Sequence, residues 1–170
     1  TLYGSFTGAI DNIKFWNVEK TSSDITSGMF TELAGNETDL LAYYNFNQGV
    51  ANGSNTSIST LLDASNSGFN GTLTNMTKSG SLSNFVDGFI PSIKTSANST
   101  GSNNALSFDG TTARVYAADS ASLSLTSAQT LESWIKLNTT FDSTSHSQDM
   151  GVLDKGSYRL YFNHNTGKLT

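Results

Sequence analysis

The chain of 170 residues contains no cysteine, and charged residues make up only 14% of it. Without cysteine, neither a disulfide framework nor a thiolate metal site can form. The formal net charge is -5, and the few basic residues are scattered. Nucleic acids and anionic membranes require clustered Lys and Arg, so we expect neither as a partner. No apolar run approaches the roughly 20 residues that span a bilayer, and we therefore expect no membrane insertion.

Patterns that support catalysis are also missing. The two histidines, His146 and His164, lie in polar stretches, and the chain has no G-x-S-x-G sequence. Glycoside hydrolysis needs a pair of carboxylates, but none of the four glutamates has a second carboxylate at strand spacing, including Glu132. The sequence therefore predicts that this chain is not an enzyme.

Short runs of apolar and β-branched residues, bounded by Gly, Asn, Asp and Ser, are the main structural signal. In the run 8–16, simple alternation places Ile13 and Phe15 on one face and Ile10 and Trp16 on the other. The runs predict strands at 8–16, 40–46, 71–73, 105–108, 113–117, 130–137 and 158–162.

The run 40–46 alternates more clearly than the others. Leu40, Ala42, Tyr44 and Phe46 are expected to share one face of the strand. Such a face is typical of a strand that covers a hydrophobic core.

One short helix is predicted at 23–34. Ser22 or Ser23 can cap it, Asp24 lies in the first turn, and Gly35 can end it in a left-handed conformation. The segment 47–59 is expected to be a polar loop. The longer segment 79–104 is expected to be a module junction or a long surface loop anchored by its apolar residues Phe85, Val86, Phe89 and Ile90. Many short strands with a single helix indicate an all-β, antiparallel β-sandwich.

Several of these segments resemble, in order, parts of a laminin-G-like, concanavalin A-like (LamG-type) jelly-roll module. FTGAIDNIKFWN (6–17) followed by LAGNETDLLAYYNFNQG (33–49) is similar to the closing strand and the helix of such a module, and to the strand that comes after them. LLDASNSGFNGTLTN (61–75) resembles its D-x-S-G-N turn. NNALSFDGTTARVYAADSASLSL (103–125) with TLESWIKL (130–137) resembles its opening strands.

The closing motif comes before the opening motif, and this order permits two interpretations. In the first, residues 1–37 are the closing strand and helix of a preceding LamG-like module, and residues 38–170 are the opening strands of the next, incomplete at the C-terminus. In the second, the chain is one permuted module in which residues 8–16 complete the same sandwich. The two differ over whether the first strand packs against residues 105–162.

The resemblance implies a structural Ca²⁺ near the F-D-G turn and the I-D strand, where Asp109 and Asp11 are the matching residues. Asp63, in the D-x-S turn, is a third candidate ligand. Ca²⁺ takes carboxylate and carbonyl oxygens, which suits these positions. The alternative for Asp109 and Asp63 is a turn role, in which the carboxylate accepts bonds from nearby backbone N–H groups.

The resemblance further implies an extracellular, cell-surface location in a large repetitive adhesin, similar to those of Bacteroidota that leave the cell by type IX secretion and support gliding motility. Expected partners are glycans, cell or solid surfaces and neighbouring tandem modules. An accessory carbohydrate-binding module of a secreted polysaccharide-degrading enzyme is the alternative, and a eukaryotic laminin-G receptor-binding domain is disfavoured by the lack of cysteine. Ser120 and Ser143 lie in tripeptides that resemble the O-glycosylation sequon of Bacteroidota.

Overall fold

Strands dominate the regular structure of the chain, which is known from a computed structural model that describes residues 4–90, 103–141 and 147–170. All strand pairs in these ranges are antiparallel except β1 with β10. The predicted all-β class with one helix is confirmed. The elements are β1 (Gly4–Ser5), β2 (Thr7–Trp16), α1 (Ser22–Gly28), β3 (Leu40–Tyr44), β4 (Thr60–Leu61), β5 (Gly71–Thr74), β6 (Phe85–Asp87), β7 (Asn104–Asp109), β8 (Arg114–Ala117), β9 (Thr130–Leu137), β10 (Met150–Asp154) and β11 (Arg159–Phe162).

The largest sheet has β2 at its centre. One edge of β2 pairs with β9 along nearly its whole length. The other edge is shared, because residues 7–10 pair with β7 and residues 13–16 pair with β3. β6 extends the sheet beyond β7. β2 therefore joins segments of the chain that are more than 90 residues apart in sequence.

Two smaller sheets, β4-β5-β8 and β1-β10-β11, accompany the large sheet. A single hydrophobic core joins residues from all three sheets. Burial of this apolar surface is the main favourable contribution to folding. Its buried members are Phe6, Ile10, Ala42, Tyr44, Phe46, Leu61, Leu73, Met76, Phe85, Leu106, Ala113, Phe141 and Met150.

The predicted division of faces in β2 is wrong at Ile10. Ile10 belongs to the same core as Ile13 and Phe15, because a bulge between Asp11 and Lys14 interrupts the alternation. Asn12 forms the bulge in a left-handed conformation, with a φ of 50°. Asn tolerates this conformation better than most residues do, and a bulge shifts the following side chains to the opposite face.

The faces of β3 follow the prediction except at Leu40. Ala42, Tyr44 and Phe46 lie in the main core, whereas Leu40 packs with Trp16 in a second cluster. The register explains the difference, since it shifts between Phe15 and Trp16, so that Trp16 is opposite Leu40.

The helix is shorter than predicted and begins earlier. α1 spans Ser22–Gly28, and its cap is Thr21, whose side chain forms a reciprocal capping box with Asp24. The helix ends at Gly28, a poor helix former, rather than continuing to residue 34. Lys14 donates to the carbonyl oxygens of Gly28 and Thr31, at 3.0 and 3.5 Å, and so ties the end of the helix to β2.

Seven of the strands were predicted, and four were not: β1, β4, β6 and β10. β6 lies inside the segment 79–104 that was expected to be a module junction or a long surface loop. Its Phe85 is fully buried, and β6 pairs with β7 as an edge strand. Short strands of two to five residues carry too little alternation to be recognised in a polar sequence.

The pairing of β2 bears on the two interpretations of motif order. β2 forms ladders with β7 and β9, which is the arrangement that the permuted module requires. The division of the chain at residue 37 into parts of two modules stays a prediction.

We predict that Gly35→Ala destabilises the fold more than Gly68→Ala. Both glycines have a positive φ, 90° and 72°, but a Cβ on Gly35 would overlap the carbonyl oxygen of Ala64, whereas the space around Gly68 is open. The left-handed backbone alone costs Ala about 1–2 kcal/mol, and the overlap at Gly35 adds about 1–3 kcal/mol. Urea unfolding measures how much free energy of unfolding each variant loses. Equal losses would contradict the close contact between Gly35 and the Ala64 carbonyl.

Candidate functional site

A layer of polar side chains lies on the face of β2 that is opposite the main core. We call Asp11, Lys14, Glu32, Asn45 and Asn47 the polar layer. The bulge at β2 brings Asp11 to this face, and the side chains of Asp11, Lys14 and Glu32 are 0%, 3% and 5% exposed. Charged groups are rarely buried this completely unless they have partners, so the layer is the most unusual feature of the described chain.

Amide side chains surround the two carboxylates of the polar layer. The Asn12 amide donates to Oδ1 of Asp11 at 3.0 Å. The amides of Asn45 and Asn47 donate to Oε1 of Glu32, that of Asn45 at 3.4 Å. Oδ2 of Asp11 and Oε2 of Glu32, in contrast, are buried and have no hydrogen-bond partner.

Burial shifts the pKa values of two groups in the polar layer, Asp11 and Lys14. Burial raises the pKa of Asp11 from 3.8 to about 7, bonds from Asn12 oppose the rise, and the charge of Glu32 adds to it. Burial likewise lowers the pKa of Lys14, against the opposite influence of Glu132 and Glu37. Loss of hydration thus disfavours the charged form of Asp11 and of Lys14 alike.

Asp109 is the last residue of β7 and precedes the turn to β8. Its carboxylate accepts N–H bonds from Thr111, Thr112 and Ala113 at 2.8 to 3.0 Å. These bonds hold the pKa of Asp109 well below its usual range. The stabilisation is complete above the ordinary Asp value near pH 4 and is lost as the pH falls from there through the lowered pKa. The geometry is that of the turn role named as the alternative to Ca²⁺ binding.

Asp63 connects β3 with the turn that follows β4. Its two oxygens accept N–H bonds from Tyr43, Ser65 and Phe69 at 2.8 to 2.9 Å, and a bond from the Ser65 hydroxyl at 2.9 Å. Asp63 therefore also has the bonding of a turn residue.

The structure separates Asp109 from Asp11. Asp109 is opposite Thr7 on β2, and Asp11 lies four residues further along that strand, about 13 Å away at ~3.3 Å per residue. Asp63 lies beside Tyr43 of β3. Within residues 4–90, 103–141 and 147–170, no group of three or more acidic or histidine side chains could hold a metal. Any cation near Asp11 therefore needs neutral oxygen ligands as well.

The aromatic and acidic residues of β2 and β9 bond to one another. Trp16 is buried, and its Nε1 donates to Oε1 of Glu132 at 2.8 Å. Trp134 is half-buried, and its Nε1 donates to the Met29 carbonyl at 2.9 Å. Glu132 thus accepts a bond that fixes the Trp16 indole.

The remaining candidate residues lie apart from the polar layer. Ser120 precedes a single 3-10 turn, and its hydroxyl accepts the Ser122 N–H at 3.3 Å. Ser143 and His146 lie outside the described residues. Nδ1 of His164 is 2.7 Å from Oδ1 of Asp149.

A cleft of about 570 Å³ opens between the large sheet and the two small ones. β8 forms one wall and β10 the other, and apolar side chains such as Phe15, Phe108 and Val152 line it. Tyr116 of β8 is 63% exposed at this cleft. In the described chain, β8 pairs with β5 alone, so its second edge has no partner strand.

Sequence reasoning missed Glu32, Asn45 and Asn47. Glu32 falls inside the segment predicted to be helical, where an acidic residue is unremarkable. The two asparagines are hidden among the many others of this chain, and only the tertiary structure brings them to Glu32.

Comparison with known proteins gives no relative. No family model, curated protein or solved structure matches this chain. Over the part of the chain that the structure describes, the only α-helix is far too short and polar to cross a membrane.

We predict that Asp63→Ala lowers the free energy of unfolding by about 2–4 kcal/mol, because three N–H groups lose their charged acceptor. Glu19→Ala, at an exposed position, serves as the control and should change it by less than about 0.5 kcal/mol. Chemical unfolding in EGTA gives both values. Equal effects of the two substitutions would contradict the turn role of Asp63.

Proposed function

We propose that this chain is a non-catalytic β-sandwich of jelly-roll type from a large, secreted cell-surface adhesin. Its role is to space and present the parent protein, with adhesion to glycans or to other surfaces. The observation that carries the proposal is how the acidic side chains are bonded. Asp63, Asp109 and Glu132 all bind groups of the fold itself.

The non-catalytic part of the proposal follows from the burial of two carboxylates and from the ion pairs that two others form. The two carboxylates of the polar layer, Asp11 and Glu32, are closed to a substrate by their burial. At the cleft, Asp119 pairs with Lys155 and Asp154 pairs with Arg159. A glycosidase needs two carboxylates that reach the same sugar bond, whereas the two carboxylates that line the cleft each bind a cationic side chain of the fold.

The cleft supports a jelly roll that contains further strands of the parent protein. A strand between β8 and β10 would pair with the second edge of β8 and join the two small sheets into a single layer opposite the large one. The apolar lining suits the alternating side chains of such a strand.

The surface supports contacts with polar, uncharged partners. The chain is acidic and rich in Ser, Thr and Asn, which favours solubility and disfavours contact with anionic surfaces. Tyr116 offers an exposed ring, and aromatic rings are common platforms at binding sites. The extracellular location, export by type IX secretion and O-glycosylation at Ser120 or Ser143 belong to the same proposal.

We predict that the chain binds glycans on an array or on immobilised polysaccharide and releases no reducing sugar. Tyr116→Ala should weaken binding about 10-fold, because an aromatic platform contributes about 1–1.5 kcal/mol. Leu82→Ala is the matched control, since Leu82 is 80% exposed and does not line the cleft.

Two results would overturn the proposal. One is that the wild-type chain binds no glycan and adheres to no surface tested. The other is sugar release that Glu132→Gln abolishes, which would make the chain an enzyme.

A further inference from the structure

β9 is a long strand at the edge of the large sheet. It spans eight residues, Thr130–Leu137, and among the described residues it pairs with β2 alone. Its residues are half-buried except Lys136, which is exposed. An unpaired edge presents a row of N–H and C=O groups that can pair with another strand. The free edge of β9 is therefore a candidate contact surface.

The contact with β2 shows which backbone groups of β9 point to the free edge. A Cβ on Gly8 of β2 would collide with the carbonyl oxygen of Lys136, so this carbonyl points towards β2. In an antiparallel ladder, the backbone groups of successive residues point to alternate edges. The N–H and C=O groups of the odd-numbered residues 131–137 therefore point away from β2.

The even-numbered side chains of β9 lie on the outer face of the large sheet. Glu132 and Trp134 are opposite polar-layer residues of β2, and Lys136 follows two residues later. Lys136 forms no ion pair with the acidic groups that the structure describes. Phe30 packs against Trp134, with 5.4 Å between the ring centroids, and is 37% exposed. The outer face of β9 thus presents an acidic, an aromatic and a basic side chain in that order.

This order of side chains is self-complementary in one antiparallel register. When two copies of β9 pair about a two-fold axis at Trp134, Glu132 of each copy lies opposite Lys136 of the other. Two ion pairs then form, and the two Trp134 rings meet at the axis as a cross-strand aromatic pair. An axis at residue 132 or 136 would place like charges opposite each other, and an axis at residue 133 or 135 would pair neither charge.

The same register provides partners for the backbone of the free edge. Residues 131 and 133 lie opposite residues 137 and 135 of the second copy, and the reverse holds across the axis. All outward N–H and C=O groups of 131–137 can therefore bond. Trp134 then falls in a non-hydrogen-bonded pair, in which the opposite Cα atoms are about 4.5 Å apart and the side chains are closest.

We propose that two molecules of this chain associate through β9, antiparallel, with the two-fold axis at Trp134. The contact is isologous, because each molecule uses the same strand, and it continues the large sheet from one molecule into the other. An exposed lysine ordinarily hinders pairing at a sheet edge. Here Glu132 of the second copy balances Lys136, which favours a second copy over strands that lack an acidic residue at that place.

This contact surface goes beyond adhesion, and it does not rest on glycan binding. The free edge of β8 is shorter, with four residues, and its only charged residue is Arg114. β8 therefore lacks the self-complementary charges of β9. A contact limited to one strand from each molecule buries less than about 1,200 Å² in total, so the association is reversible.

The first test is analytical ultracentrifugation of the full chain over about 10 µM to 1 mM, where a weak dimer forms. Lys136→Glu replaces two ion pairs by two repulsions and should weaken the association at least about 10-fold. Lys168→Glu makes the same change of charge at an exposed position outside β9 and is the matched control. It should leave the association unchanged.

A mixture of two variants tests the register. Glu132→Lys alone also places like charges opposite each other, whereas its equimolar mixture with Lys136→Glu regains both ion pairs and should associate about as strongly as the wild type. Glu132 also accepts the Trp16 bond, so circular dichroism must first show that Glu132→Lys is folded. A mixture of folded variants that stays monomeric would contradict the register.

A single cysteine gives an independent measurement, because the chain has none. Trp134→Cys should form an intermolecular disulfide on mild oxidation, since Cα atoms about 4.5 Å apart are within disulfide reach. Lys168→Cys should cross-link at least about 10-fold less. Three results would overturn the proposal: a wild type that is monomeric at every concentration, an association that Lys136→Glu leaves unchanged, or equal cross-linking of the two cysteine variants.

Discussion

The additional residue that Asn12 introduces into β2 is the constraint on which the rest of the structure depends. A regular strand would send Ile10 and Ile13 to opposite faces of the sheet. With the bulge, both reach the main core, and Asp11 and Lys14 share the other face. β2 is therefore buried on both sides, by apolar contacts on one face and by polar bonds on the other.

The polar side chains of β2 and β9 determine how the end of α1 lies against the large sheet. Lys14 binds the carbonyls at the end of α1, and the Trp134 indole binds the Met29 carbonyl one residue later. Trp16 bonds to Glu132 and packs in the second cluster with Leu40 and Tyr43. A helix of only seven residues has little stability of its own, so these tertiary contacts determine where it lies.

The sequence predicted the type and position of the longer strands, because alternation over five or more residues is a strong signal. It could not predict all of their faces, since neither the bulge at Asn12 nor the register shift at Leu40 leaves a trace in the hydrophobic pattern. Short strands such as β6 were missed for a related reason. Their burial is decided by partners far away in the chain.

The candidate site shows the same limit. Asp109 and Asp63 stand in turn sequences, and the sequence alone left both a metal role and a turn role open for them. Their N–H bonds are those of turns. Asp11 was named from its motif, whereas Glu32 was not, because its burial depends on how the 29–47 segment folds back over β2. Neither residue type nor spacing encodes that path.

The most direct test of this account is removal of residues 1–37, which include β2 and α1. The account predicts that 38–170 loses its cooperative thermal transition and its near-ultraviolet circular dichroism, because β3, β7 and β9 all pair with β2. Addition of a peptide of residues 1–37 should restore both signals. A truncated chain that melts cooperatively at the temperature of the full chain would contradict the central place of β2.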